Sequence, residues 1–289
     1  MPTLLSFGHG FSARALSRIL PSDWTVYGTT RTKEKAEVLR AEGIKPIIWP
    51  GEALDTALKE ATHLLISAGP SAQGDPVLNT LKDEIKALAP RLEWAGYLST
   101  TGVYGDHQGD WVDETTALTP ATKRGQLRVS AEAEWQSIPN LPLHIFRLAG
   151  IYGPGRGPFA KVRNGTARRI IKQGQVFSRI HVEDIAQVLW ASITRPNIGA
   201  VYNLCDNDPA PPEDVIEYAA QLLGAPVPPA IDYETAEMTP MARSFYAESK
   251  KVSNERIKTE LGVKLKYPDY KTGLRALLKL EQDSAERPL

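Results

Sequence analysis

The chain has 289 residues, 42% apolar and 24% charged, which excludes a disordered, collagen-like or coiled-coil protein and leaves two ordinary domains or one α/β domain with a smaller lobe. Lysine plus arginine and aspartate plus glutamate stand at 34 each, so no global charge excess draws the chain to nucleic acid or an anionic membrane surface, and neither is expected as a partner. The single cysteine, Cys205, excludes an intramolecular disulfide and fits a reducing compartment, with the cytoplasm the expected location.

In chain order, the opening MPTLLSFGHGF lacks a basic leader and an apolar run of signal-peptide length, and no later stretch reaches the length of a bilayer span, so neither secretion nor membrane insertion is expected. Short apolar runs then alternate with longer amphipathic segments, the pattern of βαβ units on a mostly parallel sheet. Strands are predicted near Thr3–Phe7, Trp24–Thr29, Pro46–Ile48, His63–Ser67, Glu93–Ser99 and Leu143–Leu148. Helices are predicted over Phe11–Leu20, Lys33–Ala41, Pro76–Ala89 and Thr122–Ile138. In the last of these, Leu127, Ala131, Trp135 and Ile138 recur at helical spacing and would cover the sheet.

After Leu148 the run AGIYGPGRGP is too rich in glycine and proline for regular structure and marks a crossing into a second lobe. A basic helix is expected near Asn164–Gln173, then a return strand and helix through Arg179–Thr194 and a strand near Val201–Leu204. Beyond Pro209 the chain reads as mainly helical, broken at Pro226–Pro229. The expected class is α/β: a Rossmann, doubly wound parallel sheet over residues 1–150 with return elements at about 176–205, and a smaller C-terminal substrate lobe from 151–175 and 206–289.

Gly8-His9-Gly10-Phe11-Ser12-Ala13 directly follows the first predicted strand and opens the first predicted helix, with the form GxGxxA. The first glycine permits a tight turn, the second lets backbone approach a pyrophosphate, and Ala13 keeps strand and helix close. The helix N-terminus then favours negative charge. An ordinary glycine turn is the competing reading, and the strand-to-helix position favours the nucleotide. Gly8, His9, Gly10, Phe11 and Ser12 are therefore candidate cofactor-binding residues.

About 20 residues on, where an NAD site presents a carboxylate to the adenosine ribose, the chain reads Gly28-Thr29-Thr30-Arg31. Arg31 could pair with a 2′-phosphate while Thr29 or Thr30 supplies a hydroxyl, so NADP is the expected cofactor. A merely solvated Arg31 is the alternative. Ser67, Ala68 and Gly69, at a third strand end, complete the candidate cofactor set, although a plain turn explains them nearly as well.

Ser99-Thr100-Thr101-Gly102-Val103-Tyr104-Gly105, Arg147 to Gly155 (RLAGIYGPG) and Ile180 to Ala186 (IHVEDIA) together resemble the extended short-chain dehydrogenase/reductases, the NAD-dependent epimerase/dehydratase family. The resemblance runs from Thr3 to about Leu204 and continues weakly through Ser253-Asn254 and Leu261-Gly262. It implies a Rossmann core, a C-terminal substrate lobe and a homodimer packed through two core helices. It further implies a Ser or Thr, a proton-transferring Tyr and a Lys that lowers the Tyr pKa and holds the nicotinamide ribose. Thr100 takes the first role. The YxxxK pair matches Arg124-Gly125-Gln126-Leu127-Arg128, anchored by Glu132, so both active residues are replaced by arginine. A guanidinium cannot relay a proton at neutral pH, although Arg128 can still hold a ribose or phosphate. Tyr104, the nearest phenol, is carried as a candidate proton donor beside its usual structural role.

His9, His63, His107, His144 and His181 share no ligand spacing, so no metal is expected, and His63 and His144 read as core residues. No GxSxG nucleophile elbow is present. Lys161, Arg163, Arg168, Arg169 and Lys172 form the one basic cluster, read first as a solvated helix face and second as a diphosphate clamp. Two functions compete. One is an NADP-dependent oxidoreductase, epimerase or dehydratase acting on a small polar metabolite such as a nucleotide-sugar. The other is a catalytically silent NADP-binding regulator or sensor, favoured by the loss of the Tyr and Lys.

Overall fold

The first strand, β1 (Thr3–Phe7), is apolar at three of five positions and wholly buried, as a strand covered on both faces must be. The computed structural model describes residues 1–285. From β1 the chain runs through α1 (Phe11–Ser17), β2 (Thr25–Thr30), α2 (Lys33–Ala41), β3 (Lys45–Ile48), α3 (Asp55–Glu60), β4 (His63–Ile66), α4 (Leu78–Leu88) and β5 (Trp94–Thr100). A 3₁₀ turn (Thr101–Tyr104), the short β6 (Trp111–Val112), α5 (Lys123–Gln136) and β7 (Leu143–Leu148) follow. The main sheet has seven parallel strands in the order β11-β7-β5-β4-β1-β2-β3, β11 being Val201–Leu204. The order reverses between β1 and β4, and the carboxyl ends of those strands flank the crevice in which this architecture places ligands.

Helices cover both faces. Leu16 of α1, Val188 and Leu189 of α7 (Val182–Thr194), and Phe146 pack on one side; Ile85, Trp135, Ile138 and Tyr97 pack on the other. Trp135 is fully buried and donates its indole N–H to Asp75 Oδ2 at 3.1 Å, so the ring fills the sheet–helix space without an orphaned donor. His63 and His144 lie in this interior at 4% and 0% exposure, as core residues.

The C-terminal part departs from expectation in two places. Within AGIYGPGRGP, β8 (Gly150–Tyr152) pairs in parallel with β10 (Arg179–His181), so that segment is strand before it is loop. The helix expected near Asn164–Gln173 is absent. The helix there is α6 (Phe159–Arg163), and β9 (Arg169–Ile171) pairs with β12 (Ala230–Asp232). Gly165, at φ +65°, turns the chain between them, and Ile170, buried between two half-buried neighbours, gives β9 the alternation of a strand rather than a helical stripe. The short α3 has no counterpart among the predicted elements.

The remaining elements are α8 (Pro212–Leu222), α9 (Pro240–Phe245), β13 (Lys251–Val252), α10 (Glu255–Thr259) and α11 (Tyr270–Ala285). A separate apolar cluster of Tyr152, Phe159, Val215, Ala219, Leu274 and Leu277 holds α6, α8 and α11 together. β13 returns to pair with β6, which brings residues near 250 back over the carboxyl edge of β5. Among the described residues no helix is long and apolar enough to cross a membrane.

Candidate active site

The cleft begins at the Gly8 turn. Gly8 has φ +76°, and a Cβ there would stand 2.9 Å from Ala68 N, so glycine is required by both conformation and contact. Two hydroxyls hold the turn: Thr29 Oγ1 accepts from Gly8 N at 2.8 Å, and Ser67 Oγ donates to Gly8 O at 2.6 Å and Phe7 O at 3.1 Å. Gly10, Phe11, Ser12 and Ser67 line the cleft with Gly8. Gly10 immediately precedes α1, and no side chain caps the helix's first turn, which leaves backbone donors at the mouth of the crevice.

This geometry corrects two expectations. His9 does not offer its side chain to a cofactor, because its ring is packed against Gly28, where a Cβ would come within 2.8 Å, and Nε2 meets Ser17 Oγ at 3.2 Å. Burial lowers the His9 pKa to about 4, so the ring is neutral, and its backbone N–H is already given to Thr29 O. Thr29 is 2% exposed and shapes the loop rather than presenting a free hydroxyl. Thr30 ends β2, and Arg31 just beyond it is exposed and forms no ion pair among the described residues. Ala68 and Gly69 extend the end of β4, and Arg128 Nη2 lies 3.1 Å from where a Gly69 Cβ would stand.

The second wall is the carboxyl end of β5 with the start of α5. Thr100 caps the 3₁₀ turn, its Oγ1 accepting from Gly102 N at 3.2 Å, and lines the cleft with Thr101 and Gly102. α5 approaches closely because residue 125 is glycine: a Cβ there would stand 2.6 Å from Gly102 O. Arg124 and Arg128, one helical turn apart, both line the cleft. Arg128 Nη1 donates to Leu98 O at 2.6 Å and to Tyr97 OH at 3.2 Å, so its guanidinium is held across the strand end. Arg124 is exposed, with its guanidinium 5.1 Å from the Phe245 ring centroid.

Tyr104 is fully buried and donates to Asn203 Oδ1 at 2.7 Å while accepting from Arg147 Nη1 at 3.0 Å. It is absent from the lining, and burial raises its pKa, so the structure assigns it to support and not to proton transfer. Its partner Arg147 forms a 2.8 Å ion pair with Glu132, whose other oxygen accepts from Ser99 Oγ. This buried set ties β5, α5, β7 and β11 together directly beneath Thr100.

The third wall comes from the C-terminal lobe: Arg156, Val176 to Arg179, Ser244, Phe245, Glu248, Lys250 and Val252. Sequence reasoning missed all of these as site residues. The only local signal is the charged run Glu248 to Lys251 just before the family-like Ser253-Asn254. Arg179 Nη1 donates to Phe177 O at 2.8 Å and Ala210 O at 3.0 Å; burial lowers its basicity, and the nearby Asp206 charge opposes that. The whole cleft encloses about 700 Å³ and is lined by five cationic side chains against one carboxylate, Glu248. The basic cluster predicted on one helix is instead distributed, with Arg163 paired to Glu281, Arg169 paired to Glu217, and Lys161 and Arg168 lining a neighbouring cavity of about 810 Å³. Among the described residues no three His, Cys, Asp or Glu side chains gather as metal ligands.

No family model matches the chain. Protein YeeZ of Escherichia coli (strain K12) is 31% identical over 261 residues, 85% of this chain and 89% of that protein. The structure of a functionally unknown conserved protein from Silicibacter pomeroyi DSS is 62% identical, with a TM-score of 0.93 over 96% of this chain and 99% of that one. The UDP-glucuronic acid 4-epimerase of Bacillus cereus, solved with UDP-glucuronic acid and NAD, superposes with a TM-score of 0.77 at 17% identity, over 98% of this chain and 99% of that one. With its all-parallel seven-stranded sheet, its GxGxxA turn and these relatives, the chain belongs to the extended short-chain dehydrogenase/reductases, the family of the NAD-dependent epimerases and dehydratases.

Proposed function

We propose that this protein is an NADP-dependent oxidoreductase, epimerase or dehydratase whose substrate is a small anionic metabolite of the nucleotide-sugar class. One observation carries the reading. A single cleft starts at a glycine cradle and ends among Arg124, Arg128, Arg156, Arg179 and Lys250, an excess of cations that suits a dinucleotide joined by a second phosphate- or carboxylate-bearing ligand. Gly10 supports the fit of the dinucleotide, since a Cβ there would meet protein only at 3.7 Å and would otherwise project into open space. A bound nicotinamide supplies hydride chemistry; the protein supplies orientation and charge. Arg128, anchored on Leu98 O, would hold the nicotinamide ribose. Thr100 would bond the substrate oxygen, and Arg124 would hold a substrate anion. Arg31, exposed and without an ion pair among the described residues, would take the 2′-phosphate.

The replacement of the family's Tyr and Lys by Arg124 and Arg128 favours a second reading, an NADP-binding regulator without turnover. Calorimetric titration with NADP(H) and NAD(H), followed by an absorbance scan of the bound nicotinamide against UDP- and dTDP-sugars, separates the two. We expect NADP(H) to bind about tenfold tighter, roughly 1.4 kcal/mol, with the preference lost in Arg31→Ala. Equal affinities in the wild type would remove the role given to Arg31. Tight cofactor binding with no spectral change for any sugar nucleotide would favour the regulator.

A further inference from the structure

The cleft lacks the phenol that moves the proton in related enzymes, and its own lining narrows the replacement. Among the described residues no tyrosine, histidine, cysteine or aspartate side chain lines it; apart from guanidinium groups, the only titratable side chains among them are Glu248 and Lys250. Arginine does not give up its proton in a protein. The two side chains are each 10% exposed and joined by a 2.8 Å ion pair, in which Lys250 Nζ donates to Glu248 Oε2. Nζ donates again to Gly105 O at 2.5 Å, directly after the turn that begins at Thr100. An ammonium has three N–H donors, so one remains for the cleft.

The scaffold behind the pair is fixed. His107 N and Gly109 N donate to Ser249 O at 3.1 and 3.0 Å, Ser249 N donates to Asp106 Oδ1 at 2.7 Å, and β13 follows at once on β6. Glu248 Oε1 is buried and has no partner, an acceptor left open beside the ammonium.

We propose that Lys250 is the group that exchanges a proton with the substrate oxygen in this cleft, and that Glu248 is the positioning residue that holds its ammonium in place. The assignment rests on reading the cleft as nicotinamide-dependent. In the reducing direction the substrate carbonyl carbon gains a C–H bond, with both electrons drawn from the reduced dinucleotide. The C=O π pair moves onto oxygen, and that oxygen takes a proton from Nζ. The N–H electron pair stays on nitrogen, leaving a neutral amine that water re-protonates, an alcohol and the oxidised dinucleotide. In the oxidising direction the neutral amine takes the hydroxyl proton.

A donor that reaches the reacting oxygen also stands close to the nicotinamide, and the charge of that ring differs between cofactor states. The test is therefore the ratio of dissociation constants, NADP⁺ over NADPH, measured by calorimetry on wild type, Lys250→Met, Lys250→Arg and Glu248→Gln, with thermal unfolding of each as the control for folding. Removing the ammonium should lower the ratio about tenfold, since a cation several ångströms away no longer opposes the oxidised ring. Lys250→Arg should keep the ratio. Glu248→Gln, which removes the opposite charge, should raise it. In any sugar nucleotide turnover found, Lys250→Arg should lose at least about a hundredfold, because it keeps charge but cannot release a proton.

A folded Lys250→Met with the wild-type ratio overturns the assignment, as does full turnover by Lys250→Arg. Should Lys250→Met fail to fold, an unchanged ratio in Glu248→Gln overturns it instead. A wild type that binds neither NADP⁺ nor NADPH sinks the nicotinamide reading itself, a distinct result.

Discussion

Removing Glu132 should destabilise this protein strongly. It is 2% exposed, its oxygens receive Ser99 Oγ and the Nε and Nη2 of Arg147, and Arg147 has no water to turn to because its side chain is 6% exposed. Glu132→Ala leaves that guanidinium buried with only the Tyr104 hydroxyl as a side-chain partner, the situation that costs about 3 to 5 kcal/mol when one member of a buried pair is deleted. At roughly 2 to 4 °C per kcal/mol for a domain of comparable size, the midpoint of thermal unfolding should fall by about 10 °C. The charge, and not the lost volume, carries the prediction. Glu132→Leu combined with Arg147→Met should therefore recover most of the loss, since an apolar replacement of a whole buried pair is often neutral. Scanning calorimetry on the single and double variants decides it. A Glu132→Ala protein within about 1 kcal/mol of wild type, or a double variant worse than the single, would refute the reasoning.

Gly10→Val should unfold at nearly the wild-type temperature, because a Cβ at that position meets protein only at 3.7 Å, yet lose NADP binding in a fluorescence titration; retained binding would show that the turn is not a cradle. Arg128→Ala should weaken NADP binding by about 1.5 to 3 kcal/mol while Arg124→Ala spares it and impairs ligand binding or turnover; if neither variant changes anything, both arginines are surface residues. Burial raises the Asp206 carboxyl to about 8, so between the unfolded value near 3.8 and that pH the folded state holds the extra proton and stability falls as pH rises. The melting temperature of Asp206→Asn relative to wild type should accordingly climb from pH 5 to pH 9, and a constant difference would contradict it.

The Rossmann core was legible because its signal is local. The short run Thr3–Phe7 before a GxGxxA turn, with Leu4, Leu5 and Phe7 apolar, and Leu143 to Leu148 between turn residues read as strands feeding a covered sheet, and their bounds match the structure. Basic spacing near residues 164–173 was a poor guide, because charged positions do not reveal which face is buried; Ile170 does, and only its pairing partner at Ile231 makes it a strand residue. Thr29 and His9 were correctly placed beside the glycine turn, but spacing cannot say whether a side chain faces a ligand or the core. Lys250 was out of reach for a different reason. It meets Gly105 across 145 residues of chain, and nothing short of the fold brings a lysine near β13 to the end of β5.

The turn at Gly8 is fastened from both sides by hydroxyls of neighbouring strands, Thr29 from the end of β2 and Ser67 just past β4. A cradle already in its binding shape loses no affinity to ordering itself when a ligand arrives. Under the proposed function, its performance is thereby separated from whatever happens at the far end of the cleft, where Arg124 and Arg128 stand. Retention of a dinucleotide and retention of a reaction then become independent traits, so the same backbone can exchange one proton-handling apparatus for another, or give up turnover altogether, without rebuilding the place proposed for the cofactor.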